Sequence, residues 1–453
     1  MDNKDFCGHH AEVEARQILR SRFTVLWPLV SALLVLGSGC GRSDDEPASA
    51  TGAASKPSVF DLNYLRREDV GAPVRDHPLI CNVTAVDLDH DGLMDIIACE
   101  GQTNKVLWIR QVSRGKFQEI VLCDDIAAPV HATPVDMRGT GHYDLLIASM
   151  GQVFPDNDKI GSVVILENDG HEHFTKHVLI DHVARVTDVE PGHFTHSGRT
   201  DLAVGQFGYD QGEIRWMENM GNGVFKSHIL LSLSGTINVC VADMTGDGNQ
   251  DIVAVVSQDW EEIYFFKGDG NGNFTSKVLW GSTNQDYGSS GISLCDLNHD
   301  GRPDILYTNG DGFDYAEPGS RPWHGVQWLE NLGGGRFKYH RVGDLHGAYS
   351  PIGVDLDGSG NTDIVAVSGF NEWKDPKSES LVVFQNDGHM NFTKHVLAYT
   401  PTHLITVFAA DLDGNGHPVL ITGGFHAYGP WLNMSRVSLW RRASDLPNPS
   451  NHQ

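Results

Sequence analysis

The chain has 453 residues, of which 33 are Lys or Arg and 59 are Asp or Glu, so its formal net charge is −26. This charge argues against a nucleic-acid-binding protein, because phosphate binding requires Lys and Arg. The 40% hydrophobic content excludes a largely disordered chain. The 50 glycines follow no Gly-X-Y period, which excludes collagen and leaves tight turns or oxygen-rich cation sites as their role.

The N-terminal segment is typical of an export signal. Three arginines precede an apolar run of 14 residues, 23–36, whereas a membrane-spanning helix needs about 20. The basic flank, the short run and the small residues after it predict a signal peptide over 1–40. Its end, LGSGC, resembles a bacterial lipobox, which implies lipidation of Cys40 and an exported protein anchored by lipid to a bacterial membrane of the cell envelope. Cleavage as an ordinary signal peptide is the alternative.

Residues 41–58 are small, polar and interrupted by proline. This composition predicts a flexible tether between the anchor and a folded domain. The lipid anchor would then be the chain's only contact with a membrane.

One pattern, D-x-D-x-D-G-x-x-D, recurs seven times in more or less complete form, beginning at residues 87, 136, 193, 243, 296, 355 and 411. A second segment alternates with it and reads as a strand, a Gly/Asn/Asp turn and a strand opening on Phe, which indicates a β-hairpin. Each period therefore holds four short strands. Seven such periods predict an all-β, seven-bladed β-propeller of four-stranded antiparallel blades over residues 59–442.

The two ends of the propeller complete each other in this interpretation. The seventh repeat lacks the strand that opens on Phe, and residues 59–65 offer a matching piece at the start of the domain. We therefore expect an N-terminal strand to close the ring and remove an open sheet edge. Residues 443–453 are expected to form a disordered tail.

Four tryptophans occupy the same phase of the repeated hairpin, which predicts packing between blades. They are Trp108, Trp216, Trp328 and Trp440.

The Asp-rich loops are typical of calcium sites. Positions 1, 3, 5 and 9 place oxygen ligands around one centre, and Gly at position 6 permits the turn. Calcium takes six to eight oxygens, so four side chains, a carbonyl and water suffice. The predicted Ca²⁺ ligands are Asp87, Asp89, Asp91 and Asp95 in blade one, Asp243, Thr245, Asp247 and Asp251 in blade four, Asp296, Asn298, Asp300 and Asp304 in blade five, and Asp355, Asp357, Ser359 and Asp363 in blade six. The alternative is a set of Asp/Gly turns without an ion.

The other three loops lack a full ligand set. Blade two has Arg138 at position 3, so its guanidinium is expected to replace the ion. Blade three keeps only Asp201, and blade seven has Val419 at position 9. On this basis Asp91→Ala should destabilise the protein more than Asp144→Ala.

These loops and their spacing resemble the FG-GAP/VCBS repeat family, the propeller repeat also seen in integrin α-subunit heads. The resemblance covers residues 59 to about 442 and implies a monomeric, calcium-binding propeller of the bacterial envelope lipoprotein type. It does not fix the function, because this scaffold hosts adhesion, carbohydrate-binding and lyase proteins.

Long aromatic loops follow the second strand in six of the seven blades, and we expect them to share one face of the ring. Exposed aromatic rings beside carboxylates commonly hold sugars, so we predict a binding module for a glycan or a protein partner. The alternative for each ring is packing that fixes its own loop. The predicted ligand-binding residues are Trp260, Tyr315, Trp323, His324 and Trp373.

An enzyme is the second hypothesis, namely a polysaccharide lyase or isomerase acting at the same face. His324 with Asp311, Asp314 and Tyr315 would remove a proton next to a carbonyl, with Tyr287 and His403 close to the channel mouth. No G-x-S-x-G elbow or H-E-x-x-H motif accompanies them, so the enzyme hypothesis is the weaker of the two.

Overall fold

The structure is a computed structural model, and it describes residues 59–258, 260–313 and 319–446. The predicted signal peptide with Cys40, the tether, Asp314, Tyr315 and residues 447–453 lie outside the described residues. None of the helices in the described ranges is long and apolar enough to cross a membrane.

The described chain forms seven four-stranded antiparallel sheets, which confirms the predicted seven-bladed propeller. Blades one and two contain β2 Ile80–Val86, β3 Asp95–Glu100, β4 Lys105–Ser113 and β5 Lys116–Cys123, then β6 Pro129–Val135, β7 Asp144–Ser149, β8 Gly161–Asn168 and β9 Phe174–Val183. Blades three and four contain β10 Val186–Gly192, β11 Asp201–Gln206, β12 Glu213–Gly221 and β13 Val224–Leu231, then β14 Thr236–Ala242, β15 Asp251–Val256, β16 Glu262–Gly268 and β17 Phe274–Gly281. Blades five and six contain β18 Ser289–Cys295, β19 Asp304–Asn309, β20 Gly325–Asn331 and β21 Phe337–Asp344, then β22 Ala348–Val354, β23 Asp363–Ser368, β24 Leu381–Asn386 and β25 Phe392–Ala398. Blade seven contains β26 Leu404–Ala410, β27 Val419–Gly424, β28 Val437–Arg442 and the N-terminal β1 Leu65–Val70.

The position of a strand within its blade explains its sequence. The second strand of every blade is buried along all six residues, as in β15, DIVAVV. Such a strand packs against a neighbouring blade on both faces, so it reads as a continuous apolar run. The fourth strand is at the edge of the blade and keeps many exposed residues, as in β17.

The core is divided among the seven interfaces between blades. Each buried cluster combines strands of two neighbouring blades. Trp108, Trp216, Trp328 and Trp440 are 1–4% exposed and belong to these clusters, as predicted.

Strand β1 closes the ring by pairing with β28, from Leu65 opposite Arg442 to Val70 opposite Val437. It lies further along the chain than the predicted 59–65. The prediction relied on the apolar residues of 59–65. The closing strand is the outermost strand of its blade, and its sequence LRREDV is polar because its outer edge faces solvent. Phe60 instead fills the interface between blades six and seven.

The first residues of the predicted disordered tail are ordered. A short 3-10 helix spans Ala443–Asp445, and the N–H of Ala443 donates to the carbonyl of Tyr64 at 2.9 Å. Both ends of the described chain are therefore joined at blade seven.

Candidate metal loops and ligand-binding face

Six of the seven loops begin with an Asp, and this residue builds the turn. Asp87 accepts hydrogen bonds from the N–H of Asp91 at 3.1 Å and of Gly92 at 3.0 Å, and Gly92 has a φ of 86°. Asp136 of blade two and Asp411 of blade seven accept the equivalent pair of bonds. Because those two loops lack full ligand sets, this Asp has a structural role with or without an ion.

The last Asp of the loop is an internal anchor. Asp304 is fully buried and accepts hydrogen bonds from the N–H of Leu297 at 3.2 Å and of Asn331 at 2.7 Å. These bonds tie the start of the loop to the third strand of its blade. The same pair of bonds is formed by Asp95, Asp201, Asp251 and Asp363. In blade two, Asp144 accepts the equivalent bond from the N–H of Asn168 and pairs with Arg138.

Burial makes these carboxylates costly to ionise. Loss of hydration raises the pKa of Asp95, Asp251 and Asp304 to about 6 and that of Asp363 to about 7, against the lowering effect of the N–H donors. A nearby cation would stabilise the charged form.

Two loops bring three carboxylates together. One oxygen from each of Asp87, Asp89 and Asp95 lies within 4.8 Å of the others, and the corresponding residues of blade six form a second group. In blade four the hydroxyl of Thr245, at position 3, is buried without a hydrogen-bond partner among the described residues. Oxygen donors in this arrangement fit a hard cation such as Ca²⁺.

Protein cations already occupy part of this space. Arg110 Nη2 lies 2.5 Å from Asp89 Oδ2, and Lys267 Nζ lies 2.9 Å from Asp247 Oδ2. In blade six, by contrast, Asp357 accepts a hydrogen bond from the neutral amide of Gln385 at 3.1 Å. Metal binding would therefore displace a cationic side chain in blades one and four, but only an amide in blade six.

In blade two, Arg138 contacts the carboxylate at the last position of the loop. Arg138 Nη2 lies 2.9 Å from Asp144 Oδ1 and also donates to the carbonyl of Asn168 at 2.5 Å. Its guanidinium thus joins position 3 to position 9 of the loop.

The antiparallel order places the connections between second and third strands on the face opposite the Asp loops. Two tryptophans are exposed on this loop face, namely Trp260 at 53% and Trp431 at 48%. Trp431 stacks on His77, with ring centroids 4.0 Å apart. Trp323 is partly buried against the core between blades four and five, and its indole N–H donates to the carbonyl of Asp286 at 2.8 Å.

Two of the predicted ligand-binding residues are buried, which contradicts their predicted contact with a ligand at the surface. Trp373 is 7% exposed, and its indole N–H donates to the carbonyl of Gly369 at 3.3 Å. His324 is fully buried, and its Nδ1 accepts hydrogen bonds from the N–H of Arg321 and of Gly347. Burial lowers the pKa of His324 to about 3, so it is a neutral acceptor that fixes its own loop.

The residues proposed for lyase chemistry also make structural contacts. Asp311 accepts hydrogen bonds from the N–H of Phe313 at 2.9 Å and from the hydroxyl of Tyr349 at 2.8 Å. Tyr287 and His403 are 9% and 3% exposed. Burial lowers the pKa of His403 to about 3 and raises that of Tyr287, so neither is tuned to transfer protons near neutral pH.

Comparison with known proteins identifies the repeat. A family model described as FG-GAP-like repeat matches residues 193–254, 243–307 and 355–422. The chain contains FG-GAP-like repeats. No curated protein matched the chain.

Solved structures with a similar arrangement include two crystal structures of BBS1N in complex with ARL6DN. One was soaked with lead (TM-score 0.48, 12% identity, 82% of this chain and 95% of that chain). The other was soaked with mercury (TM-score 0.49, 12% identity, 83% of this chain and 96% of that chain).

The first strands of the seven blades surround an axial channel with a cavity of about 540 Å³. Polar side chains on these strands join each blade to the next. Asn82, Asp188 and Thr406 accept hydrogen bonds from backbone N–H groups of the following blade at 3.2, 3.0 and 3.3 Å. The channel wall is thus a belt of hydrogen bonds between blades.

An aromatic cluster from four blades meets at the loop-face end of the channel. The ring of Phe313 lies 5.8 Å from Phe154, 5.9 Å from Phe370, 6.0 Å from Phe425 and 5.3 Å from Tyr428, measured between centroids. These rings pack the loops of the four blades against one another, as expected if loop aromatics serve to fix the loops.

One charged group in the channel was missed by sequence reasoning. His131 of β6 forms an ion pair with Asp188 of β10, and Glu190 lies beside them. Burial lowers the pKa of His131, but the two carboxylates outweigh it and raise the value to about 9, while burial raises the pKa of Glu190 to about 8. An alignment of the repeats could have found this group. His131 and Asp188 occupy the register position that neutral Asn82 and Thr406 occupy in other blades, so their charge departs from the pattern.

Proposed function

We propose that this FG-GAP propeller is a calcium-stabilised binding module of the cell envelope that holds a glycan or protein partner at its loop face. The observation that carries the binding role is the exposure of Trp260 and Trp431, at 53% and 48%, on loops of the same face. Large aromatic rings offer an apolar surface for sugar C–H groups or for a protein anchor.

The charge of the chain narrows the ligand class. A net charge of −26 repels acidic polymers in the absence of bridging cations. We therefore favour neutral glycans over uronic-acid polymers.

Calcium enters the proposal through the Asp loops of blades one, four, five and six. Three carboxylates are held close together in blades one and six, and the buried Asp at position 9 has a raised pKa in all four loops. When bound, Ca²⁺ would supply positive charge that offsets the repulsion between these carboxylates. Blade six is the most accessible to the ion, because Gln385 contacts Asp357 as a neutral amide.

Trp260→Ala should weaken ligand binding about tenfold or more, since a central aromatic contact commonly contributes more than about 1 kcal/mol to an interface. A glycan array identifies the ligand, and titration of both proteins with that ligand measures the change. The melting temperature should stay nearly constant, because the Trp260 side chain is half exposed.

Trp323→Ala is the matched control. It should lower the melting temperature, because its ring packs against the core and its N–H bonds to Asp286. Unchanged binding in both Trp260→Ala and Trp431→Ala would show that the exposed tryptophans are not the binding surface.

The envelope location rests on the lipobox-like LGSGC sequence, which lies outside the described residues. Cys40→Ser should release the protein from membranes without unfolding it, because residues 41–58 separate the anchor from the propeller. Membrane fractionation measures the release. An unmodified residue 40 in the mature protein, detected by mass spectrometry, would contradict the anchor.

A further inference from the structure

We propose that His131, Asp188 and Glu190 form a binding site for a divalent transition metal of the zinc class inside the axial channel. An imidazole nitrogen together with two carboxylates is a donor set that suits Zn²⁺ and its neighbours. The site is independent of the proposed binding face and of the Asp loops.

The three side chains are already gathered. One ligand atom from each lies within 4.8 Å of the other two, and His131 contacts Asp188 directly. Ligand atoms on one zinc ion, at bond lengths of about 2.0–2.2 Å, lie roughly 3.3 Å apart. Small side-chain rotations therefore suffice to bring the three atoms around an ion.

The surroundings hold the carboxylates in place. Asp188 is 1% exposed, and its Oδ2 accepts hydrogen bonds from the amide of Asn238 at 3.2 Å and from the N–H of Val239 at 3.0 Å. This leaves Oδ1 directed to His131. The hydroxyl of Thr133 lies 3.5 Å from Glu190 Oε1. Such outer partners orient ligands in metal sites.

The location separates this site from the calcium loops. The three residues lie on the first strands of blades two and three, whose Asp loops carry Arg138 at position 3 or keep only Asp201. A nitrogen donor also favours transition metals over Ca²⁺, which binds oxygen. The proposed channel site would therefore bind a transition metal, whereas the Asp loops of the other blades would bind Ca²⁺.

The cavity leaves space for a further ligand beside the three side chains. Three protein ligands do not complete a tetrahedral shell, and His131, Asp188 and Glu190 all line the cavity of about 540 Å³. The remaining position would take water or an oxygen-bearing small molecule that enters the channel.

The test titrates the full protein with Zn²⁺ by calorimetry in saturating Ca²⁺, which keeps the Asp loops occupied. Elemental analysis after dialysis gives the retained zinc. Wild type should retain about one equivalent more than His131→Ala, and the affinity of that site should fall at least tenfold in Glu190→Gln. Asn82→Ala, which changes a neutral residue at the same register position, should retain the zinc of wild type.

Equal zinc retention in wild type and in folded His131→Ala would overturn the proposal, as would the absence of zinc binding by wild type. Circular dichroism establishes whether each variant is folded. If His131→Ala does not fold, Glu190→Gln decides, because the described contacts of Glu190 include no backbone donor. Unchanged zinc affinity in Glu190→Gln would then overturn the site.

Discussion

Asp304→Ala should lower the free energy of unfolding by about 2–6 kcal/mol even in excess chelator. In calcium the loss should be up to about 2.7 kcal/mol larger, because Asp304 is also a proposed Ca²⁺ ligand. The carboxylate of Asp304 accepts hydrogen bonds from the N–H of Leu297 and of Asn331 inside the protein. Its removal leaves two buried donors unpaired, at about 1–3 kcal/mol each. Denaturant unfolding with and without chelator measures the change.

Asp300→Ala is the matched control in the same loop. Asp300 lies at the surface, accepts a hydrogen bond from the N–H of Arg302 at 3.0 Å and pairs with its guanidinium. Its loss should cost less than about 1 kcal/mol in chelator. In calcium it should cost up to about 2.7 kcal/mol more, the stabilisation from one ligand at a hundredfold above its Kd.

The pair of variants separates the ion from the turn. If calcium leaves wild-type stability unchanged, or if Asp300→Ala costs the same in both buffers, the proposed calcium binding of blade five is wrong. A small effect of Asp304→Ala would instead contradict the anchoring role of the buried carboxylate.

The repeated pattern predicted the fold because it is spread over the whole chain. Seven Asp loops and their alternating hairpins specify blade number and strand count, and the tryptophan phase specifies the faces between blades. The closing strand was placed too early, because an edge strand such as LRREDV follows solvent exposure rather than the apolar pattern.

Burial within the Asp loop was not predictable from ligand counting. The sequence ranks Asp91→Ala as more damaging than Asp144→Ala, and the contacts reverse this order for the calcium-free protein. Asp144 is fully buried and bonds to both Arg138 and the N–H of Asn168, whereas Asp91 is exposed. Position in the loop therefore decides the cost more than completeness of the ligand set.

The candidate sites were predicted only where their residues are close in sequence. The sequence shows which loops carry aromatic residues but not which of their rings are exposed. Trp260 is exposed, whereas Trp373 is buried. The channel group was missed, because His131 and Asp188 are far apart in sequence and meet only when blades two and three pack against each other.

Trp216→Ala should lower the free energy of unfolding by about 3–5 kcal/mol, as expected for removal of a large buried ring. Trp216 is 3% exposed, stacks on His228 at 4.4 Å and meets Phe194 edge-on at 6.0 Å in the interface between blades three and four. Denaturant unfolding of the variant measures the loss.

Trp260→Ala is the control for that substitution, because it removes the same side chain from a position that is 53% exposed. Its free energy of unfolding should stay within about 0.5 kcal/mol of wild type. Equal losses in the two variants would show that Trp260 is a packing residue and would remove the main support for the binding face. A small loss in Trp216→Ala alone would show that blades three and four repack around the cavity, since the cost of such a substitution depends on how far the site can collapse.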